Sequence, residues 1–209
     1  MNHMASFESA TTLHREILVG GRPPLTNKFT LLAGVLAAGA VLGRVVGTPT
    51  AAAASGNVGN GSIGAVTTGA ETMPGVWRVM CIEPASGGGG TFTVEDPNGV
   101  QHPRAVVASA YAGPLGFTIS AGVFDFAAGD AFLITVPTTT DVRLAEAAAT
   151  DGSATPAVIL AHDADASGGE VEVMAYTRAD VREFALSYGT GHSADTVREA
   201  LRQRGITLV

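Results

Sequence analysis

The sequence predicts an α+β protein that is mainly β, in which a small domain of short strands and two short C-terminal helices is interrupted by an inserted β-sandwich or barrel-like module. Of the 209 residues 27 are Gly and only 15% are charged, a composition typical of β-structure with many tight turns. Short strand candidates recur at regular spacing between residues 56 and 136. The apolar segment 36–45, which contains Gly39 and Gly43, has the pattern of one half of a small β-domain. The segment that matches the other half appears only at residues 155–161. We therefore expect one domain to be split by another.

The domain boundaries follow from these shifts in composition. Residues 1–12 are small and polar and predict a flexible arm, with Phe7 as its one plausible anchor. Residues 13–50 and 137–209 are expected to form one discontinuous domain, and residues 51–136 the inserted β-domain. The small residues 48–55 are interpreted as the linker between them.

The first outer segment predicts short strands. Residues 13–19 can extend as a strand, which Gly20-Gly21 and Pro23-Pro24 then end. Residues 29–47 predict two short strands around turns at residues 33–34 and 38–39.

Alternating apolar residues predict the strands of the insert. Asp96-Pro97-Asn98-Gly99 has a turn-favouring residue at each position and predicts a hairpin between residues 91–95 and 100–108. The strand candidates are 62–67, 76–83, 91–95, 105–110, 116–120 and 131–136.

The C-terminal segment predicts loops after Val136, then strands at residues 157–160 and 171–176. Thr177 and Asp180 have the spacing of a capping box and predict a helix through residue 186. Ser193 is expected to cap a second helix that runs to about residue 204, with Gly205 as its stop. The apolar residues 206–209 are expected to dock on the core.

Composition also argues against several classes of function. The net charge is −7 and Lys28 is the only lysine, so we expect no nucleic-acid partner. Cys81 is the only cysteine and is interpreted as a small buried hydrophobe. Residues 29–42 imitate a secretory signal, but they begin far from Met1, are too short to span a bilayer and contain helix-weakening glycines. We expect neither an export signal nor a membrane partner.

No pattern of catalytic, metal-binding or cofactor-binding residues withstands inspection. The cluster of His162, Asp163 and Asp165 is more typical of a solvated turn than of a metal site. Asp151, Ser153 and His162 have the residue types of a nucleophilic triad but no nucleophile elbow. The glycines of residues 56–61 lack a βαβ frame, and Glu95-Asp96 falls in a hairpin turn. The sequence predicts a binding or structural protein rather than an enzyme, with no cofactor.

Four motifs occur in order along the outer segments: Glu16-Ile17-Leu18-Val19, Ala38-Gly39-Ala40-Val41-Leu42-Gly43-Arg44-Val45, Pro156-Ala157-Val158-Ile159-Leu160 and Ala200-Leu201 with Gly205-Ile206-Thr207-Leu208-Val209. Together they resemble the lambda-type head decoration protein family of tailed bacteriophages. The inserted module also resembles β-inserts of larger members. One departure is that Pro24-Leu25-Thr26-Asn27-Lys28 stands where many members have a Ser-Arg-Asp/Glu motif.

The resemblance implies a non-enzymatic protein of the virion, made in the host cytoplasm. Members trimerise on the outer surface of the mature capsid at local threefold sites and stabilise it. The implied partners are therefore the major capsid protein and two further copies of the chain. The residues expected to contact the capsid are Phe7, Leu13, Glu16, Ile17, Leu18, Val19, Arg22 and Lys28.

Two alternatives remain open at this stage. The insert is a candidate for a projecting module that binds host-surface glycans, because it contains Trp77, Tyr111, Phe117 and Phe124. The competing interpretation assigns these aromatic residues to the core of a small sandwich. A weaker alternative, based on the signal-like segment, is a secreted hydrolase.

Overall fold

The computed structural model describes residues 17–209, which form a mainly β structure with one α-helix near the C-terminus and so confirm the predicted fold class. The helix is α1 (Ala194–Gln203), and a single 3₁₀ turn spans Glu183–Ala185. The strands are β1 (Leu25–Leu31), β2 (Gly34–Leu36), β3 (Val41–Val46), β4 (Thr50–Ala53), β5 (Ser62–Ile63), β6 (Thr67–Thr68), β7 (Gly75–Ala85), β8 (Gly89–Glu95), β9 (Gln101–Val106), β10 (Ala110–Ala112), β11 (Leu115–Ser120), β12 (Ala131–Val136), β13 (Thr138–Leu144), β14 (Pro156–Leu160), β15 (Ala164–Ala166), β16 (Val171–Val181) and β17 (Ile206–Leu208).

The outer segments build a closed five-stranded barrel. Its strands pair in the order β1-β13-β3-β14-β16, and β16 pairs back onto β1 to close the ring. The β1–β13 pair is parallel, whereas the other pairs of the ring are antiparallel. One apolar cluster draws residues from all five strands, as the filled interior of a small barrel does. It includes Phe29, Leu31, Leu42, Val142, Val158, Leu160 and Val173.

The C-terminal helix packs against β17 and β14, next to the distal half of β16. Strand β17 pairs with this half in parallel, and Val197 and Leu201 of α1 pack with Ile206 in a second buried cluster. At the start of the helix, the Ser193 N–H donates to Thr196 Oγ1 at 2.9 Å. The second predicted helix is therefore confirmed.

The first predicted helix, over residues 177–186, is wrong. Residues 177–181 continue strand β16, and only the turn Glu183–Ala185 is helical. The reason is tertiary pairing. Ala179 and Val181 lie opposite Ile206 and Leu208 of β17, and a full set of sheet hydrogen bonds outweighs a local capping signal.

Residues 50–136 build a sandwich. Its larger sheet has the order β4-β12-β7-β8-β9, and the smaller one pairs β11 with β10, β5 and β6. The predicted hairpin is confirmed: Asp96 Oδ1 accepts the N–H groups of Asn98 at 2.8 Å and of Val100 at 2.9 Å. The core contains Trp77, Phe92, Leu115, Ile119, Phe132 and Ile134.

Four local predictions differ from the structure. The candidate strand 62–67 is divided into β5 and β6, and residues 64–66 between them lie in no strand. The supposed linker contains strand β4, which pairs with β12 through Ala51↔Ile134 and Ala53↔Phe132. The predicted loop after Val136 contains β13, and the candidate strand 105–110 is divided by a turn in which Ala108 has φ 62°. The sequences of β4 and β13 lack an alternation of large apolar residues, so no local pattern marked either strand, and both form by pairing with strands far away in the chain.

Two crossings of the chain join the barrel to the sandwich. At the junction the Gly47 N–H donates to the Pro137 carbonyl at 2.8 Å, and Thr139 Oγ1 donates to the Val45 carbonyl at 2.5 Å. The larger sheet extends away from this junction. Val136, which adjoins the junction, lies opposite Gly75, whereas Ala131, at the other end of β12, lies opposite Met80. The end of the sandwich opposite the junction is therefore made of residues 54–61, 85–90 and 121–130. That the two parts act as separate domains stays a prediction.

Candidate functional site

The first described residues join the edge of strand β16. Leu18 lies opposite Val181 in an antiparallel bridge. The Val19 N–H donates to the Asp180 carbonyl at 2.8 Å, and the Arg182 N–H donates to the Ile17 carbonyl at 2.8 Å. This pattern turns the N–H and carbonyl groups of Leu18 away from β16, toward the outer side of the segment.

The structure divides the residues expected to contact the capsid into three groups. Phe7, Leu13 and Glu16 lie outside the described residues. Ile17 is only 6% exposed and packs in the cluster beneath α1, so its side chain belongs to the core of this chain. Leu18 and Val19 are half-buried, and Arg22 and Lys28 are exposed.

The two exposed cations of this set face carboxylates of β16. Lys28 Nζ lies 3.1 Å from Glu172 Oε2, and Arg22 Nε lies 4.0 Å from Asp180 Oδ2. Such surface pairs contribute little to stability, so both cations remain accessible to a partner.

An apolar feature that the sequence did not predict lies beside Ile17. Phe184, in the 3₁₀ turn, is 74% exposed, and the guanidinium of Arg182 lies 5.9 Å from its ring centre. The Glu183 N–H donates to the carbonyl of the exposed Val209 at 3.0 Å, which holds the C-terminus against this turn. Reasoning from sequence placed Phe184 in a helix, and no pattern signalled its exposure.

The side chains considered for catalysis or metal binding form hydrogen bonds that hold loops and turns in place. Ser153 Oγ donates to Asp151 Oδ1 at 2.5 Å, whereas His162 Nε2 accepts the Met174 N–H at 3.2 Å. Asp163 Oδ1 accepts the Ala38 N–H at 2.8 Å, and so holds the turn before β3. Among residues 17–209, no group of three or more His, Cys, Asp or Glu side chains has a geometry that would hold a metal ion. Nor does any helix in that range have the length and apolar character needed to cross a membrane.

Asp130 is a buried carboxylate that ties two loops together. It accepts the N–H groups of Val58 and Gly59 at 2.8 Å and of Ala127 at 2.9 Å. Burial raises the pKa of the carboxyl, but these three donors together lower it by more, so the pKa of Asp130 lies below its usual range.

Asp96 has the same role in the hairpin at the other end of the sheet. Burial raises its pKa, the N–H groups of Val100 and Asn98 and the nearby His102 lower it by more, and the net pKa lies below the usual range. His102 Nε2 is 3.4 Å from Asp96 Oδ2, and its ring lies 5.4 Å from that of Trp77. The carboxylate therefore fixes a turn beside the sandwich core.

The four aromatic residues considered for ligand binding separate into two groups. Trp77, Tyr111 and Phe117 are at most 6% exposed and pack in the sandwich core, with the rings of Tyr111 and Phe117 stacked at 4.7 Å. Phe124 is 65% exposed. Its N–H donates to Asn60 Oδ1 at 2.9 Å, so the loop that carries it is held in place at the far end of the sandwich.

The fold and these sites define a mainly β protein in which buried carboxylates and hydroxyl groups fix loops. The chain belongs to the bacteriophage lambda head decoration protein D family, whose family model matches residues 9–206. The match spans both the barrel and the sandwich and confirms the resemblance seen in the motifs. The protein is accordingly a structural component of the phage virion capsid.

Two solved structures show a distant likeness to the chain. A crystal structure of Xanthomonas campestris FlgL in space group H3 matches with a TM-score of 0.34 and 20% identity over 48% of this chain and 34% of that chain. A second FlgL structure, in space group C2, gives a TM-score of 0.34 and 19% identity over 46% and 31%. The chain thus spans about a third of the length of these proteins, and a likeness at this level carries no argument. No curated protein matches the sequence.

Proposed function

We propose that the protein binds the outer surface of the mature capsid as a homotrimer at local threefold sites, and that it stabilises the shell without enzymatic activity. The observation that carries this proposal is the family match over residues 9–206. The major capsid protein is the partner. Closed threefold symmetry suits a threefold site, and three linked contacts raise the avidity of a weak single contact.

The face that meets the capsid includes the N-terminal segment and its surroundings. Leu18 directs its backbone polar groups away from β16, which suits the addition of a strand from a partner. Lys28 on β1 and Arg22, which precedes β1, supply cations beside β16, and Phe184 supplies apolar area. Residues 1–16 precede this face in the chain.

The sandwich acts as an inserted domain, residues 51–136, that projects outward from the shell. Its core cluster shares no residue with the two clusters of the barrel and helix, and its larger sheet leads away from the junction. Attachment is therefore expected to need only the discontinuous domain of residues 13–50 and 137–209.

Reconstitution on expanded capsids that lack the protein tests the proposal. Addition of the protein is expected to raise the melting temperature of the capsids, and light scattering coupled to size exclusion is expected to give a trimer mass. The double variant R22E/K28E is expected to bind more weakly, whereas R104E/R202E, which changes the net charge equally at two exposed arginines away from this face, serves as a matched control. An unchanged melting temperature of decorated capsids would overturn the stabilising role.

The position of the insert is tested separately. A variant that lacks residues 51–136 is expected to retain capsid binding. Val46 packs against the sandwich core and would be uncovered, so V46T is included to keep the truncated protein soluble. Loss of binding by a folded truncated protein would contradict the assignment of attachment to the outer domain.

A further inference from the structure

An open groove runs along the end of the sandwich that lies opposite the junction with the barrel. Its volume is about 540 Å³, and it lies between the loop that follows β4 and the loop that precedes β12. The exposed face of the larger sheet forms its floor. The lining residues that matter here are Ser55, Val58, Arg78, Ala128, Asp130 and Leu133.

Arg78 supplies a cation that is not committed to an acid of the chain. It is exposed on β7, between Leu133 of β12 and Glu95 of β8 in the register of the sheet. It lines the groove, whereas Glu95 does not, and its side chain makes neither an ion pair nor a hydrogen bond within residues 17–209. Arg104, on β9 of the same sheet, by contrast pairs with Glu83 at 3.2 Å. The guanidinium of Arg78 is therefore available to a carboxylate ligand.

The walls of the groove are held in place before any ligand arrives. Asp130 fixes both loops through the N–H groups of Val58, Gly59 and Ala127. Asn57 spans the same gap, because its side-chain amide donates to the Ala131 carbonyl at 2.8 Å while its Oδ1 accepts the Ala131 N–H at 2.9 Å. The Asp130 oxygens are occupied by these donors, which stabilise the negative charge of the carboxylate within the groove wall and leave the exposed Arg78 as the charged side chain that a ligand can reach. A preformed site loses little conformational entropy on binding.

The shape and lining of the groove favour a sugar over a peptide side chain. Small residues and backbone line most of it, and Leu133 and Val58 are its large apolar side chains, 40% and 67% exposed. Such a shallow surface lacks the deep pocket that an aromatic or aliphatic anchor residue needs. It suits a flat ring that presents C–H groups on one face and hydroxyl groups at its edge, next to the Ser55 hydroxyl.

We propose that this groove binds a carboxylate-bearing sugar unit of an acidic polysaccharide, with Arg78 as the partner of the carboxylate. The inference rests on the proposed outward position of the insert, and it assigns to that insert a ligand class and a site. A capsid carries many copies of a decoration protein, so weak binding by each groove sums to avidity for a repeating polymer.

Binding of the intact protein to polygalacturonate fragments, measured by biolayer interferometry, tests the assignment. The same fragments with methyl-esterified carboxylates are the neutral control. We expect binding to the acid form only, a loss of about tenfold or more in R78A, equal to about 1.4 kcal/mol, and a change of less than about twofold in R104A. The variant A128W fills the groove without changing charge and is expected to abolish binding. Both Arg78 and Ala128 are exposed, so these variants are expected to fold.

Several outcomes would overturn the proposal. These are absence of binding to polygalacturonate, equal binding of the esterified fragments, and equal losses in R78A and R104A, which would indicate general charge attraction. Binding of a poly-glutamate peptide as tight as that of the polysaccharide would also overturn it, because the groove would then recognise carboxylates without a sugar. Capsid attachment is measured separately, on capsids. Each of these results would therefore overturn the polysaccharide site and leave the proposed capsid function unaffected.

Discussion

The carbonyl oxygen of Ser153 occupies the space in which a side chain on Gly43 would lie. A β-carbon built on Gly43 overlaps the backbone of Ser153, where β3 meets the irregular start of β14. Gly39 of the same motif is similarly restricted, since it has φ 89° and its β-carbon would overlap the Ala185 carbonyl. The motif thus needs both glycines because two distant segments approach its backbone closely.

The variant G43A is therefore expected to lower the free energy of unfolding by about 2–4 kcal/mol, because one backbone or the other must shift within the barrel. Urea denaturation followed by circular dichroism measures the change. The control is G168A, which lies in an exposed turn with no atom within 4 Å of the new β-carbon and is expected to change stability by less than about 0.5 kcal/mol. Equal stability of G43A and the parent protein would contradict the described packing of β3.

Replacement of Asp130 tests how the far end of the sandwich is held. D130N cannot accept all three N–H groups at full strength, and its amide brings two donors into a buried site. We expect a loss of about 1–3 kcal/mol in the free energy of unfolding, and faster hydrogen exchange at Val58 and Gly59. D141N is a suitable control, because the Asp141 side chain is half-buried and makes no hydrogen bond or ion pair among the described residues. Unchanged exchange at Val58 in D130N would refute the loop-fixing role.

The pH dependence of stability should report on Asp96. Its pKa in the folded protein is lowered, so in acid the unfolded chain binds more protons than the folded one. The stabilisation is complete above the unfolded pKa of about 3.9 and is lost as the pH falls through the lower folded pKa. The parent protein should therefore lose stability on acidification below about pH 4, and D96N should show a smaller slope there.

Melting temperatures between pH 7 and pH 2 measure this effect. Asp130 contributes in the same direction, because its pKa is also lowered, so D96N should flatten the profile only in part. A profile of D96N that is parallel to that of the parent would show that the Asp96 carboxylate is not specially stabilised in the folded state.

Local signals predicted much of the sandwich. The Asp96-Pro97-Asn98-Gly99 turn and the alternation around Phe92 and Val94 depend on neighbours in sequence, and both appear in the structure as predicted. The same signals placed Trp77 and Phe117 in a core as one of two interpretations, and the structure selects that one.

The remaining errors share a physical cause. Strand β1 begins at Leu25, and its first four residues are exposed, so no apolar alternation marks it. It exists because Thr26 and Lys28 pair with Tyr176 and Met174, more than a hundred residues away. The groove residue Arg78 was missed for a related reason, since its neighbours Leu133 and Val58 come from other parts of the chain.

Ile17 allows a core role to be separated from capsid contact. The side chain is buried among residues that include Val181, Leu186 and Leu208, so I17A should leave a cavity and cost about 2–4 kcal/mol. Leu18 is half-buried next to it, and L18A should cost about 1 kcal/mol or less. Chemical denaturation gives both values.

Capsid binding is then measured at a temperature at which each variant is folded. We expect I17A to bind like the parent protein there, because a buried side chain offers no surface to a partner. Weaker capsid binding by folded I17A, at a helical and sheet content equal to that of the parent, would instead mean that Ile17 leaves the core to contact the capsid.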